Sequence, residues 1–431
     1  MMCVNCFFSR EYQKKLKEST FGHNRFENRL TDYVENYLNE LSKLISMDKC
    51  PCKHKYTTSG NYVKYTNDLM NCLKNNMPII DEISDVLIKV YKTFITKSYK
   101  HAADLFWESI SKFNLIGAPK ESIMYIKSHF RARIDEKGIY NNIYDLFHPP
   151  FDKRNSIGNQ RFSISGQPML YLANSIIVLT KEVATIDEVS IAAFVPKHQC
   201  YYSSKISDVG NSISDSLVNL PGLFDAGSNV TFNDKSYISK IRRSILCELL
   251  TFPRKDKVDD NEHFVEEYVL PQLLTSLLID NGYKGIIYPS TKDYSAITNY
   301  HRFSNYDNNI AFFVGYNETE NYDQYLLDTF YTFVLDGSEK YTYTIKDFMQ
   351  KYEYAINLNK RYNAVVNNNS YIILLCNTKR YIEDIETSTI NGINYFDTRE
   401  GKTELEFYLK LADELTALII ENIKSKTGAV I

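Results

Sequence analysis

The sequence predicts an α+β protein with a helical N-terminal domain (residues 1–120), a strand-rich domain (121–318) and an α+β C-terminal extension (319–431). Three observations predict it. Apolar residues recur every three or four positions through residues 1–120. From Ile123 onward the apolar runs shorten and are punctuated by Pro and Gly. Beyond residue 319, strand-like stretches lead to a long amphipathic helix.

The first domain holds "FENRLTDYVENYLNELSKLI", "MPIIDEISDVLIKVYKTF" and "HAADLFWESISKFNLIG", each with helical periodicity, the last stopped by Gly117-Ala118-Pro119. Strands are expected in "MYIKSHFRARID", "PMLYLA" and "EVSIAAFVP". A helix-rich insertion follows over about 238–281, with "SYISKIRRSILCELL" and "FVEEYVLPQLLTSLLIDNG". "GYKGIIYPS" and "NIAFFVGY" read as strands again. In the extension, "DTFYTFVLD", "KYTYTIKDFM" and "SYIILLCN" read as strands, and "TELEFYLKLADELTALIIENIKS" as the closing helix.

Composition narrows the function. Hydrophobic residues make up 44% of 431, enough for packed cores. Lys and Arg total 50 against 53 Asp and Glu, a net charge of -3, so no global field is available to grip a nucleic-acid backbone. No apolar run reaches the roughly eighteen residues of a membrane span, and "MMCVNCFFSREYQKK" does not read as a signal peptide. The expectation is a soluble, cytoplasmic protein without a membrane partner.

Polar residues gather at the ends of the middle strands. Arg131 and Arg133 lie two apart in "HFRARI", on one face of a strand. Arg161 sits in the turn before "PMLYLA", and Tyr171 points opposite to Leu170 and Leu172. Glu182 lies on the following helix, and Ser290 closes "GIIYPS". Guanidinium forks match phosphate oxygens, an aromatic ring stacks on a flat cationic ring, and a carboxylate stabilises an oxocarbenium charge. Together they suit cleavage of an N-glycosidic bond in a dinucleotide. Taken one at a time, each is also an ordinary surface or core residue.

The order "FRARI", "FHPPFDKRNSIGNQRFSISGQPMLYLA", a Glu some ten residues later, "GYKGIIYPS" and "NNIAFF" resembles the RES domain family over roughly residues 123 to 315. The resemblance implies an ADP-ribosyltransferase-like RES core that consumes NAD⁺ as substrate. It implies catalytic roles for Arg131, Glu182 and Ser290, and substrate binding by Arg161, Tyr171 and Arg133. Here Gln160 stands before Arg161 where the family has Gly. His148 in "FHPP" is similar to the larger members, with a structural role equally open.

The implied function is an NAD-degrading bacterial toxin, or an effector of anti-phage abortive infection, that cleaves the nicotinamide–ribose bond. The alternatives are a protein ADP-ribosyltransferase, or an inactive RES-fold sensor. Implied partners are NAD⁺, an antitoxin or defence-system protein and further copies of the chain, with no nucleic acid in the catalytic pocket.

Eight cysteines include an N-terminal group. Cys3 and Cys6 have the spacing of a zinc half-site, and Cys50 and Cys52, with His54, offer the other half. Reduced thiols in a frayed N-terminus are the alternative. The group also looks like the degenerate zinc-binding start of helical domains that accompany some RES proteins. Those domains resemble the HEPN class, whose Arg-x4-6-His nuclease motif is absent here, so a regulatory or oligomerising bundle is expected.

Overall fold

The structure, a computed structural model, describes residues 1–52, 60–116, 128–134, 140, 142–183, 189–196, 206–210, 213–214, 216–217, 220, 230–255, 264–292, 308–335, 343–362 and 370–428. In chain order its helices are α1 (Val4–Phe7), α2 (Arg10–Glu18), α3 (Phe26–Ser42), α4 (Gly60–Asn75), α5 (Met77–Thr96), α6 (Tyr99–Phe113), α7 (Ile143–Leu146) and α8 (Ile176–Val183). They continue with α9 (Asp234–Leu250), α10 (Val269–Asp280), α11 (Gln324–Thr329), α12 (Ile345–Arg361), α13 (Ser370–Ile385) and α14 (Arg399–Thr427). The strands are β1 (His129–Ile134), β2 (Met169–Ala173), β3 (Val189–Pro196), β4 (Ile206–Asp208), β5 (Gly285–Pro289), β6 (Asn308–Phe313) and β7 (Phe330–Leu335). A small hairpin, β8 (Thr389–Ile390) and β9 (Ile393–Asn394), completes the set. The protein is mixed α/β.

Two compact units form, each from three stretches of chain. The first comprises Met1–Pro119, Lys153–Gln167 and Ile206–Thr291. Three of its helices, α2, α6 and α9, start where side chains satisfy orphan N–H groups: Ser9 Oγ accepts from Tyr12 N, Ser98 Oγ from His101 N and Asn233 Oδ1 from Ser236 N. Helix α9 packs on α4 and α5, and α10 on α5 and α6, so the 206–291 stretch completes the bundle of the N-terminal helices. Phe26, Tyr33, Tyr91 and Phe252 form an edge-to-face cluster in this core. Two buried ion pairs tie the stretches together. Lys17 Nζ lies 2.7 Å from Glu248 Oε2 and bonds the Thr251 hydroxyl at 3.1 Å. Arg29 Nη1 lies 2.5 Å from Glu267 Oε1, its guanidinium against the rings of Phe21, Phe26 and Phe252. Strands β4 and β5 pair in parallel.

The second unit comprises Lys120–Asp152, Pro168–Lys205 and Lys292–Ile431. Its strands pair in the order β6–β2–β1–β3–β7, every pair antiparallel. Phe130 on β1 meets Phe407 on α14, which also touches Phe333 on β7, so α14 covers one face of this sheet. Helix α14 also packs against α12, α13 and α8. Near its start a Cβ on Gly401 would lie 2.1 Å from the Tyr395 carbonyl oxygen, so only glycine lets the helix pass this turn.

Within this helical layer Glu404 is fully buried. Its carboxylate accepts hydrogen bonds from the hydroxyls of Tyr381 (3.0 Å), Tyr408 (2.9 Å) and Tyr395, and from the Ile176 N–H that opens α8. Burial outweighs these donors and pushes its pKa up to about 7.

Two expected strands give way to helices, the second of them from Ile345 on. "SYIILLCN" begins α13, because a short apolar run fits a buried helix face as well as a buried strand. The end of "KYTYTIKDFM" begins α12, started by a capping box in which Thr344 Oγ1 accepts from Asp347 N and Asp347 Oδ2 accepts from Thr344 N. Gly117-Ala118-Pro119 and His54 lie outside the described residues.

Candidate functional site

Of the residues singled out in the sequence, Arg131, Arg133, Tyr171 and Glu182 belong to the second unit, and Arg161 and Ser290 to the first. In the second unit the strand register decides which side chains share a face. Phe130 pairs with Ala173, Ala173 with Asn309, and Tyr171 with Ala311. Directly opposed residues share a face and alternate residues share it in turn. Phe130, Tyr171, Ala173, Asn309 and Ala311 therefore lie on the face covered by α14. His129, Arg131 and Arg133 lie on the other, where His129 Nδ1 sits 3.0 Å from Asn174 Oδ1.

Glu182 joins the Tyr171 face. Helix α8 packs on β1 and β2, and Ser175 starts it by accepting a hydrogen bond from Val178 N. Near its end Glu182 Oε1 accepts from Asn309 Nδ2 at 3.0 Å, and Lys292 Nζ lies 3.7 Å from Oε2. The carboxylate is one-third exposed, so it is oriented and still reachable. Asn309 is a neighbour of the candidate carboxylate that the sequence reading passed over. Its signal is a polar residue sharing a strand face with Ala311 and Phe313.

Arg131 reaches the neighbouring strand: its Nη1 donates to the Tyr171 carbonyl at 3.2 Å. Its Nε is sealed from solvent without a hydrogen-bond partner among the described residues. Burial first, then the neighbouring charge of Arg133, lowers its pKa to about 9. Arg133 Nη2 donates to the Phe147 carbonyl at 3.3 Å. The sequence reading asks one pocket to hold Arg131, Tyr171 and Glu182 together; strand alternation from the Phe130–Ala173 pair puts Tyr171 and Glu182 on one face and both arginines on the other, yet Arg131 stays close enough to Tyr171 to bond its carbonyl and to interact electrostatically with its phenol.

His148 is held at both ring nitrogens. Nδ1 donates to the Pro149 carbonyl at 2.8 Å, and Nε2 accepts from Asp323 N at 3.0 Å. This fixes the neutral tautomer. Burial, joined by the charges of Arg131 and Arg133, lowers its pKa to about 4 despite its hydrogen bond to Pro149 and the nearby Asp323. Asp323 in turn caps α11 through Leu326 N and accepts from Gly315 N. His148 is a structural link.

In the first unit Arg161 Nη1 donates to the Leu250 carbonyl at 3.2 Å, and its guanidinium lies 5.0 Å from the centre of the Tyr268 ring. Its turn is pinned by Gln272 Nε2, which bonds Asn159 Oδ1, the Gln160 carbonyl and the Ser163 carbonyl. Ser290 is buried just past β5, and its carbonyl accepts from Arg10 Nη1 at 3.4 Å. The N-terminal cysteines also belong to this unit: Cys3, Cys6 and Cys50 bring their sulfurs within 4.8 Å of one another, while Cys52 is exposed.

No family model matches the chain, and no solved structure matches it. Among curated proteins it is similar to one from Bacillus subtilis (strain 168) named "Putative toxin YopC". The two are 27% identical over 324 residues, which cover 68% of this chain and 70% of the relative.

Proposed function

We propose that the protein is a toxin that consumes NAD⁺ by cleaving its nicotinamide–ribose bond. The toxin part rests on the relative's name. The chemistry rests on one observation: a reachable carboxylate, Glu182, oriented by Asn309 on the same sheet face as Tyr171. As the C–N bond lengthens, positive charge grows on the ribose. A preorganised carboxylate stabilises that charge more than it stabilises the ground state. Tyr171 supplies a ring for the nicotinamide to stack on, and Asn309 fixes which carboxylate oxygen faces the sugar. In this proposal Arg131 is a positioning residue, which holds the backbone of β2 at Tyr171 from the opposite face.

Incubation of the purified protein with NAD⁺ tests the reading, with free nicotinamide as the readout, in buffers with and without phosphate. Nicotinamide is expected from the wild type. Glu182→Gln keeps the shape and the Asn309 contact but removes the charge, and is expected to lose about a hundred-fold or more in rate. No nicotinamide from the wild type in either buffer, or wild-type turnover by a folded Glu182→Gln protein, overturns it.

A further inference from the structure

The N-terminal cysteines carry an inference that is independent of the NAD⁺ reading. Helix α1 has only four residues, too short to persist by itself, yet Val4, Phe7 and Phe8 are buried. Its N-cap, Cys3, makes no side-chain cap hydrogen bond. One backbone bond draws this end onto the stretch after α3, where Ile45 N donates to the Met2 carbonyl at 3.0 Å; a local bond from Cys50 N to the Met47 carbonyl at 3.1 Å closes the turn that presents Cys50.

This places thiols from two distant stretches together. The sulfurs of Cys3, Cys6 and Cys50 lie within 4.8 Å of one another, and Cys6 Sγ is 3.8 Å from Cys50 Sγ. A disulfide would bring that pair to about 2 Å. Four thiolates around one tetrahedral Zn²⁺, with Zn–S of about 2.3 Å, stand about 3.8 Å apart. Cys52, two residues beyond Cys50 and exposed, is the remaining thiol within chain reach of the group. A tetrahedral all-sulfur donor set selects Zn²⁺ over hard oxygen-seeking cations.

We propose that Cys3, Cys6, Cys50 and Cys52 bind one Zn²⁺, which staples α1 to the turn after α3, with Cys52 as the solvent-facing ligand. The three more deeply placed sulfurs form the seat, and Cys52 closes it. Binding converts thiols to thiolates, and their protons, up to about four per metal, pass to solvent. The metal's role is structural: all four positions are filled by protein, which leaves none open for substrate.

The full-length protein, purified without chelator, is assayed for zinc by elemental analysis, then stripped and refilled with Co²⁺ as a spectroscopic probe. About one metal per chain is expected. Co²⁺ is expected to give intense sulfur-to-metal charge-transfer bands with the visible bands of a tetrahedral site. Because Cys6→Ser risks misfolding, the exposed Cys52→Ser is the second variant; it is expected to weaken zinc about ten-fold or more in chelator competition. Cys376→Ser, exposed and outside the cluster, is expected to bind as the wild type does. No metal retained after refilling, cobalt bands without thiolate character, or a Cys52→Ser protein with unchanged affinity overturns the proposal.

Discussion

Glu404 makes the stability of the second unit depend on pH in a direction opposite to most carboxylates. Its pKa rises from an ordinary value of 4.5 to about 7 on folding, because a fully buried carboxyl resists ionisation even with three tyrosine hydroxyls and the Ile176 N–H around it. Below pH 4.5 the group is protonated in both states and costs nothing. As pH rises, the unfolded carboxyl ionises first, so stability falls through the window from about 4.5 to 7 and then levels off. With those two values, linkage gives a loss of roughly 2 to 3 kcal/mol between pH 5 and pH 8. Glu404→Gln keeps the shape and an acceptor oxygen but cannot ionise. The assay is denaturant unfolding of both proteins at pH 5.0 and 8.0, with hydrogen exchange of the α14 amides to localise the change. Other titrating groups shift both proteins alike and cancel in the comparison. The wild type is expected to lose roughly 2 to 3 kcal/mol more than the variant. An equal loss in the two proteins refutes the assignment of a raised pKa to Glu404. Because Glu404 also receives the first N–H of α8, the same variant is expected to change exchange at Ile176 and its neighbours, on the helix that carries Glu182.

Two further outcomes follow from the packing. Arg29→Met leaves Glu267 buried and uncompensated, and is expected to cost about 3–5 kcal/mol in urea unfolding; adding Glu267→Leu is expected to recover most of it. Thr344→Ala removes the capping box of α12 and is expected to cost about 1 kcal/mol, read as faster exchange of the first-turn amides after residue 344.

How far the sequence could be read depends on the range of the interaction. Periodicity is local, so α3, α5, α6 and the closing α14 were legible, as were β1, β2, β3, β5, β6 and β7. At "SYIILLCN" the local signal was degenerate, and in "KYTYTIKDFM" the Thr344–Asp347 cap starts a helix at Ile345, just past the β-favouring tyrosines. The polar residues themselves were visible, but their faces were not. Whether Arg131 looks the same way as Tyr171 depends on the pairing of Phe130 with Ala173, and a shift of one residue would reverse it. Glu404 was hidden for a similar reason: on a helix its spacing reads as a wet face, and only the convergence of Tyr381, Tyr395 and Tyr408 reveals it. The cysteine cluster was half legible, since the Cys3–Cys6 spacing is local and the approach of Cys50 is not.

The buried pairs Lys17–Glu248 and Arg29–Glu267 bear on where this polypeptide can be cut. The helical signal ends near residue 116, which invites a shortened chain that begins near residue 120. Such a fragment would keep Glu248 and Glu267 but lose both cations. It would also uncover the sides of α9 and α10 that rest on α4, α5 and α6. Two stranded carboxylates and a stripped apolar surface favour aggregation over independent folding. Supplying residues 1–119 as a separate chain would restore both charges and the missing wall. Recovery of a soluble fragment 120–431 is therefore expected to require co-expression of the first 119 residues, as in a split protein whose halves assemble only together.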